Sequence, residues 1–360
     1  MSNEIKVMVV DDSLTMRLFL NKILNAAEGI KVVASASDPY DAMEKLKTFD
    51  VDVMTLDVEM PKMDGITFLK KIMRLKPMPI VMVSTLTKKG SETAVEALNH
   101  GAVDVIGKPS HKVEMMESLG SEIITKVTEA SRARVNSSVR QEISPLPVSY
   151  LTQEKAITID DVLKNVNAEY VGKRIIGIAS STGGPPVLKQ ILSEITSPNT
   201  PPIVIVQHIG VGFSEALAKS MDAATPLPVH HALDGQLLKR GNIYLAPAGI
   251  HLGITSEKEH YKIRFYDFER VNRHKPSADV LFRTMNKVAG RNALSFVLTG
   301  MGNDGAIGLQ ELYKSGALTF VQSEESCTVY GMPKAALHIE NQHKEVGIKQ
   351  IIEKIKEYAQ

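Results

Sequence analysis

Residues 5–13 read IKVMVVDDS: six residues, five of them apolar, that stop on two carboxylates and a hydroxyl. Such nearly unbroken apolarity is what a strand buried on both faces of a parallel sheet requires. Working outward, the pattern recurs at residues 32–36, 51–56, 80–83 and 103–106, all rich in Val, Ile and Met. Helix-period stretches lie between, near residues 14–25, 39–47, 65–75 and 91–99. This alternation predicts a doubly wound α/β fold with a five-stranded parallel sheet. A fifth, charged helix is expected from about Lys112 to Ala133.

The polar residues of this half fall where the strands end. Asp11 and Asp12 close the first run, Asp57 the third, Ser84 the fourth and Lys108 the fifth. In an open α/β sheet, ligands bind beyond the carboxyl ends of the strands. Three converging carboxylates repel one another and call for a cation, and an oxygen-only ligand set favours Mg²⁺ or Ca²⁺. An Asp beside Mg²⁺ can accept a phosphoryl group, and a hydroxyl and an ammonium suit the new phosphoryl oxygens. Any single Asp in this set reads more simply as a helix cap. The set as a whole does not.

The stretches VDDS, LDVEMPKMDG, VMVSTL and GKPS resemble the response-regulator receiver family over about residues 3–125. The resemblance implies a flavodoxin-like sheet with Asp57 as phosphoacceptor. It also implies that Asp11, Asp12 and Asp57 hold Mg²⁺, that Ser84 and Lys108 sense the phosphoryl group, and that a histidine kinase is the phosphodonor. Ser84 stands where Thr is common, and the hydroxyl chemistry is kept.

A polar stretch beginning RARVNSSVRQEISPLPV has little periodicity and reads as a linker. The expected division is a receiver over 1–125, a linker over 126–170 and a second domain over 171–360. The second domain again alternates, with strands expected near residues 175–179, 203–207, 294–298 and 318–322. Helices are expected near 185–195, 214–221, 278–288, 306–315 and 346–358, and shorter strands and turns between Val229 and Phe268. It too reads as doubly wound α/β, of hydrolase type, with a mainly parallel sheet.

Within it, IIGIASSTGGPP is a strand, a tight Ser–Gly turn and a helix start. A serine on such a turn projects its hydroxyl above the sheet, near backbone N–H groups that can stabilise an oxyanion. The match to G-x-S-x-G is incomplete, because Ala179 precedes Ser181 by two, and local chemistry leaves Ser180 as a second candidate. A phosphate-binding turn or a plain helix cap is the simpler reading of this motif alone. Two further features change the balance. His208 directly follows the apolar run IVIVQ, and Asp304 follows SFVL in a Gly-rich loop. Ser, His and Asp at three strand ends are the set needed for nucleophilic acyl transfer.

STGG, QH, DGQLLKRGNIYLAPAGIHL, KPSADVLF, LTGMGNDGA and VYGMPKAA resemble the catalytic domain of chemotaxis protein-glutamate methylesterases, the CheB family, over about residues 172–340. The resemblance implies that Ser181 is the nucleophile, that His208 and Asp304 complete the triad, and that Met301 and Thr182 lie at the oxyanion and substrate neighbourhood. It implies a phosphorylation-activated serine hydrolase that demethylates glutamate γ-methyl esters on methylated chemotaxis receptors and deamidates some receptor glutamines. No cofactor is implied for the esterase step. In the family the unphosphorylated receiver covers the catalytic cleft.

Two other function classes fit the sequence less well. A nucleotide-dependent oxidoreductase would use GIASSTGG and the Tyr330–Lys334 spacing. Gly331 and Pro333 interrupt that spacing, and no complete G-x-G-x-x-G is present. A DNA-binding response regulator would need a basic output domain, whereas the 360-residue chain carries a formal charge of only +1. The balance argues equally against nucleic acid as a partner. No apolar run approaches a membrane span, the amino terminus has no signal-peptide pattern, and the one cysteine, Cys327, cannot form an internal disulfide. A cytoplasmic location without membrane insertion is therefore expected. Asp64 is read as a turn former, Cys327 as a structural thiol, and His230, His231, His251 and His274 as structural or surface residues, although His274 adjoins the KPSADVLF segment and lining the cleft is its alternative reading.

Overall fold

The computed structural model describes residues 4–108, 113–135, 159–160, 163, 170–339 and 343–360. It forms two compact units, Met1–Ser149 and Tyr150–Gln360. The first contains β1 (Ile5–Val10), α1 (Leu14–Ala26), β2 (Ile30–Ala36), α2 (Pro39–Lys45), β3 (Val53–Asp57), α3 (Gly65–Leu75), β4 (Ile80–Ser84), α4 (Lys88–Asn99), β5 (Asp104–Gly107) and α5 (Val113–Ala130). The strands are parallel in the order β2-β1-β3-β4-β5, the flavodoxin-like arrangement. The chain direction across the sheet reverses between β1 and β3, so the loops after those strands flank the switch point.

Local chemistry starts each helix where the strand loops end. Ser13 caps α1, Asp38 caps α2, Asp64 caps α3 through the Thr67 N–H, and Thr87 caps α4. Such caps satisfy donors that a helix start leaves without intrahelical partners. Leu20 and Leu24 of α1 and Ile123 and Val127 of α5 bury their apolar faces against Val7, Val9, Val53 and Val81. The buried ion pair between Lys126 and Asp104, 2.6 Å, ties α5 to β5. That helix runs on to Ala130, so residues 126–130 are helical.

The second unit contains β6 (Ile175–Ser180), α6 (Gly184–Leu192), β7 (Ile203–Gln207), α7 (Ser214–Asp222), β8 (Val229–His231), β9 (Ile243–Leu245), β10 (His251–Glu257) and β11 (His260–Tyr266). It continues with α8 (Ala278–Ala289), β12 (Ala293–Val297), α9 (Ala306–Lys314), β13 (Leu318–Gln322), α10 (Met332–Ile339), β14 (Lys344–Val346) and α11 (Ile348–Ala359). Seven strands pair in parallel as β14-β13-β12-β6-β7-β9-β8, and β10 and β11 form a separate antiparallel pair. The reversal falls between β6 and β12. Phe282 and Met285 of α8 and Leu309 and Leu312 of α9 pack over the sheet.

The sequence pattern had not placed α10 or β14, and had left β8 to β11 as unresolved short strands. Pro333 does not interrupt a helix here: it is the second residue of α10, where its missing N–H is harmless. Much of the expected linker lies outside the described residues. Ile159 packs against the buried pair Phe268 and Val280, Asp160 pairs with Arg283 at 2.7 Å, and Leu163 is buried. Among the described residues, no helix is long and apolar enough to cross a membrane.

Candidate active site and phosphoacceptor pocket

β6 is buried along its whole length and delivers the chain into a turn built around two glycines. Gly183 has φ +76°, and a Cβ there would lie 2.4 Å from the Thr328 side chain. A Cβ on Gly184 would lie 2.1 Å from Gln207 Oε1. Only glycine fits at either place, and the turn therefore holds Ser181 between β6 and α6. The Ser181 N–H donates to the Thr299 carbonyl at 3.0 Å, and its carbonyl accepts from Gly184 N at 2.8 Å and Gln207 Nε2 at 2.9 Å. Ser180 is fully buried and donates to Gln207 Oε1 at 2.6 Å. Its hydroxyl is thus engaged inside the turn.

Ser180 pairs with Gln207 in the sheet register, so Ser181 and His208 leave adjacent strands at the same edge. The His208 N–H donates to the Ser180 carbonyl at 2.9 Å. His208 Nε2 lies 2.8 Å from Asp304 Oδ2, while its Nδ1 is buried with no hydrogen-bond partner. A carboxylate can only accept, so Nε2 carries the proton and Nδ1 presents a lone pair.

Asp304 stands in the loop after β12, against the start of α8. Its Oδ1 accepts from Ser277 Oγ at 2.6 Å and Asn272 Nδ2 at 2.9 Å, and its Oδ2 from Ala278 N at 2.6 Å. Burial opposes its charge. The hydrogen bond from His208, electrostatic attraction to the His208 and His274 rings and the Ser277 hydroxyl outweigh burial and hold the carboxyl below the usual carboxylate range. Close to Ser181 runs Gly300–Met301: a Cβ on Gly300 would lie 2.6 Å from Ser181 Cβ. The Gly300 carbonyl accepts from Gly331 N at 2.9 Å and Met332 N at 2.8 Å. Because the C=O and N–H of a trans peptide point opposite ways, the Met301 N–H is aimed away from α10. Thr182 is buried, and its carbonyl accepts from Thr299 Oγ1 at 3.0 Å.

In the first unit, Asp11 and Asp57 are buried and Asp12 is exposed, and oxygens of all three carboxylates lie within 4.8 Å of one another. Lys108 Nζ is 3.0 Å from Asp11 and 2.8 Å from Asp57. Burial pushes the Asp57 carboxyl up to about 6; the Lys108 ammonium opposes this and the Asp11 carboxylate adds to it. Buried Ser84 donates to the Gly90 carbonyl at 3.0 Å. Gly65 lets α3 start against this site, since a Cβ there would lie 2.0 Å from the Asp57 carbonyl oxygen.

Residues 176–355 match the CheB methylesterase family and residues 7–120 the response regulator receiver domain. The chain is 41% identical to the protein-glutamate methylesterase/protein-glutamine glutaminase of Hydrogenovibrio crunogenus, over 94% of each chain. It is 39% identical to the protein of that name from Salmonella typhi, over 97% of this chain and 95% of the relative. This chain belongs to the CheB methylesterase family. The crystal structure of the Thermotoga maritima CheB methylesterase catalytic domain superposes with a TM-score of 0.50 at 31% identity, covering 51% of this chain and 98% of that one.

For this CheB-family chain, the fold brings Ser181, His208 and Asp304 to the ends of three neighbouring strands, β6, β7 and β12, and gathers Asp11, Asp12, Asp57, Ser84 and Lys108 at the other sheet. His274, for which a place lining the cleft was the alternative reading, stacks its ring on His208 with centroids 3.6 Å apart and planes 2° apart. Several residues around these three escape the sequence reading. Ser277, Asn272 and Gln207 were not singled out, although KPSADVLF and QH were both noted. A serine directly before a helix pattern is a cap signal, and that signal was available for Ser277. Three of the histidines named above have structural partners: His230 meets Asn242, His231 meets Ser214, and His251 accepts from Ser277 N.

Proposed function

We propose that this protein is a phosphorylation-controlled hydrolase of glutamate γ-methyl esters on chemotaxis receptors, with deamidation of receptor glutamines as a second reaction of the same centre. The observation that carries this reading is the His208 ring. One nitrogen is engaged by Asp304 and the other is a buried, unpartnered acceptor at the strand edge where Ser181 stands.

In the reaction, Ser181 Oγ attacks the ester carbonyl and its proton passes to His208 Nδ1. Asp304 keeps the ring in the required tautomer and balances the imidazolium. The tetrahedral oxyanion is met by backbone N–H groups, with Met301 the first candidate and Thr182 lining the substrate side. The C–O bond then breaks, His208 returns the proton, and methanol leaves. Water, deprotonated by His208, cleaves the acyl-enzyme to glutamate. With an amide substrate, ammonia leaves in place of methanol.

Control resides in the receiver. Asp57 accepts a phosphoryl group from a histidine kinase or a small phosphodonor, and Ser84 and Lys108 pair with the new oxygens. Asp11, Asp12 and Asp57 would hold Mg²⁺, which supplies charge neutralisation there; the donor set is all oxygen, and Lys108 alone does not balance three carboxylates. The domain division proposed is a receiver over 1–125, a linker over 126–170 and the hydrolase over 171–360, in the cytoplasm. The decisive experiment measures methanol release from methylated receptor with and without a small phosphodonor. Release that rises with the phosphodonor is expected, and no release under either condition would refute the reading.

A further inference from the structure

Val271 and His274 close a tight turn by exchanging both backbone hydrogen bonds, at 3.1 and 2.9 Å. Asn272 and Arg273 form its corner at φ +50° and +71°. Asn is one of the few side-chain-bearing residues that sit readily at such positions. The turn delivers two side chains to the triad. His274 lies flat on His208, and Asn272 Nδ2 lies 2.9 Å from Asp304 Oδ1 and 2.6 Å from Asp279 Oδ2.

Asp279 is itself 1% exposed, and its other oxygen accepts from Gly308 N at 2.7 Å. Two buried carboxylates so close repel. A planar NH₂ with two hydrogens can serve both at once, whereas a carbonyl oxygen there would face acceptors only, which fixes the orientation of the amide. The other donors to Asp304 besides His208 are Ser277 Oγ and the N–H groups of Ala278 and Asp279, all at the start of α8. Asn272 reaches the carboxylate from a separate segment.

We propose that Asn272 is a positioning residue of the hydrolytic centre: by bridging Asp304 to the buried Asp279, it fixes the carboxylate that orients His208. The inference rests on the hydrolase reading above. Burial pushes the Asp279 carboxyl up to about 7, the Asp304 charge adds to this, and the Gly308 N–H and the Asn272 amide oppose it.

The test uses the full-length protein with a small phosphodonor and two readouts: methanol release from methylated receptor, and the rate at which a fluorophosphonate labels Ser181. Asn272→Gly keeps the positive-φ turn and removes the amide. Asn272→Asp keeps the shape and replaces a donor with a third carboxylate. Both variants should stay folded with a lowered Tm, more so for Asn272→Asp, and keep the wild-type KM, while kcat and the labelling rate per folded molecule fall on the order of 10- to 100-fold. Asn272→Asp should be no better than Asn272→Gly. Wild-type kcat and labelling in either variant would overturn the proposal. So would an activity loss matched by a loss of folded, labellable protein, since Asn272 would then serve only the turn. If the wild type labels at Ser181 but releases no methanol, the esterase reading fails, and the labelling rates still decide the role of Asn272.

Discussion

At the scale of the residue, the two neighbouring serines of the nucleophile turn have opposite fates. Ser181→Ala should remove esterase activity with the fold intact, because its hydroxyl supports no internal hydrogen bond among those described. Ser180→Ala should keep most activity yet lower stability by about 1–3 kcal/mol, since it leaves the buried Gln207 Oε1 without its donor. Kinetics and melting of the two variants check this; an inactive Ser180→Ala beside an active Ser181→Ala would reverse the assignment. The Asp279–Asp304 pair predicts a pH signature of folding. A carboxyl raised in the folded state from 3.8 to about 7 contributes stability below its ordinary value and loses it as pH rises through the folded one. Asp304, held low, is constant over that window. Half-buried His231 and buried His251, held below their ordinary value by desolvation, slope the other way in wild type and variant alike. The difference in Tm between Asp279→Asn and wild type should therefore grow in favour of the variant from about pH 4 to about pH 7. A pH-independent difference would contradict it.

At the scale of the element, strands and long helices were legible because burial on both faces writes an apolar run, as in IVIVQ for β7. β8, β9 and β14 have three residues each, too few for any period to show, and α10 begins on a Met-Pro pair that reads as a break. His208 and Asp304 of the proposed triad stood out because each follows such a run, whereas the choice of Ser181 over Ser180 rested on the family resemblance. Asn272 and Ser277 were not legible, because they lie on irregular chain and reach these residues only through the tertiary fold; His274 was placed near the cleft only by its adjacency to KPSADVLF. The turn before α6 gives an element-scale prediction. Gly183→Ala combines a left-handed φ, costing about 1–2 kcal/mol, with a Cβ 2.4 Å from Thr328. It should reduce activity far more than stability, since the displaced turn carries Ser181. Unchanged kcat would show that the turn tolerates the shift.

At the scale of the whole molecule, Ser181, His208 and Asp304 all belong to Tyr150–Gln360, so the proposed triad needs no group from the receiver. A fragment starting at Tyr150 should therefore be folded and more active than the unphosphorylated full-length protein. Activity no greater than that basal level would instead favour an activating interface. A fragment starting at Val171 loses Ile159, Asp160 and buried Leu163, and should be less stable than the longer one by about 2 kcal/mol. Asp57→Asn should keep basal esterase activity and lose its response to a small phosphodonor; undiminished activation would place the switch elsewhere.

The position of β12 in the second sheet has a further consequence. β6, which leads to Ser181, pairs on one side with nearby β7 and on the other with β12, far along the chain, whose loop carries Asp304. Long-range parallel pairing is slow to form, because the entropy of closing the intervening loop is lost before any contact rewards it. During synthesis the serine and histidine emerge from the ribosome well before the carboxylate that orients them. A nascent or truncated chain therefore presents a serine without its complete relay, and hydrolytic competence arrives only when the central strands of the sheet have closed.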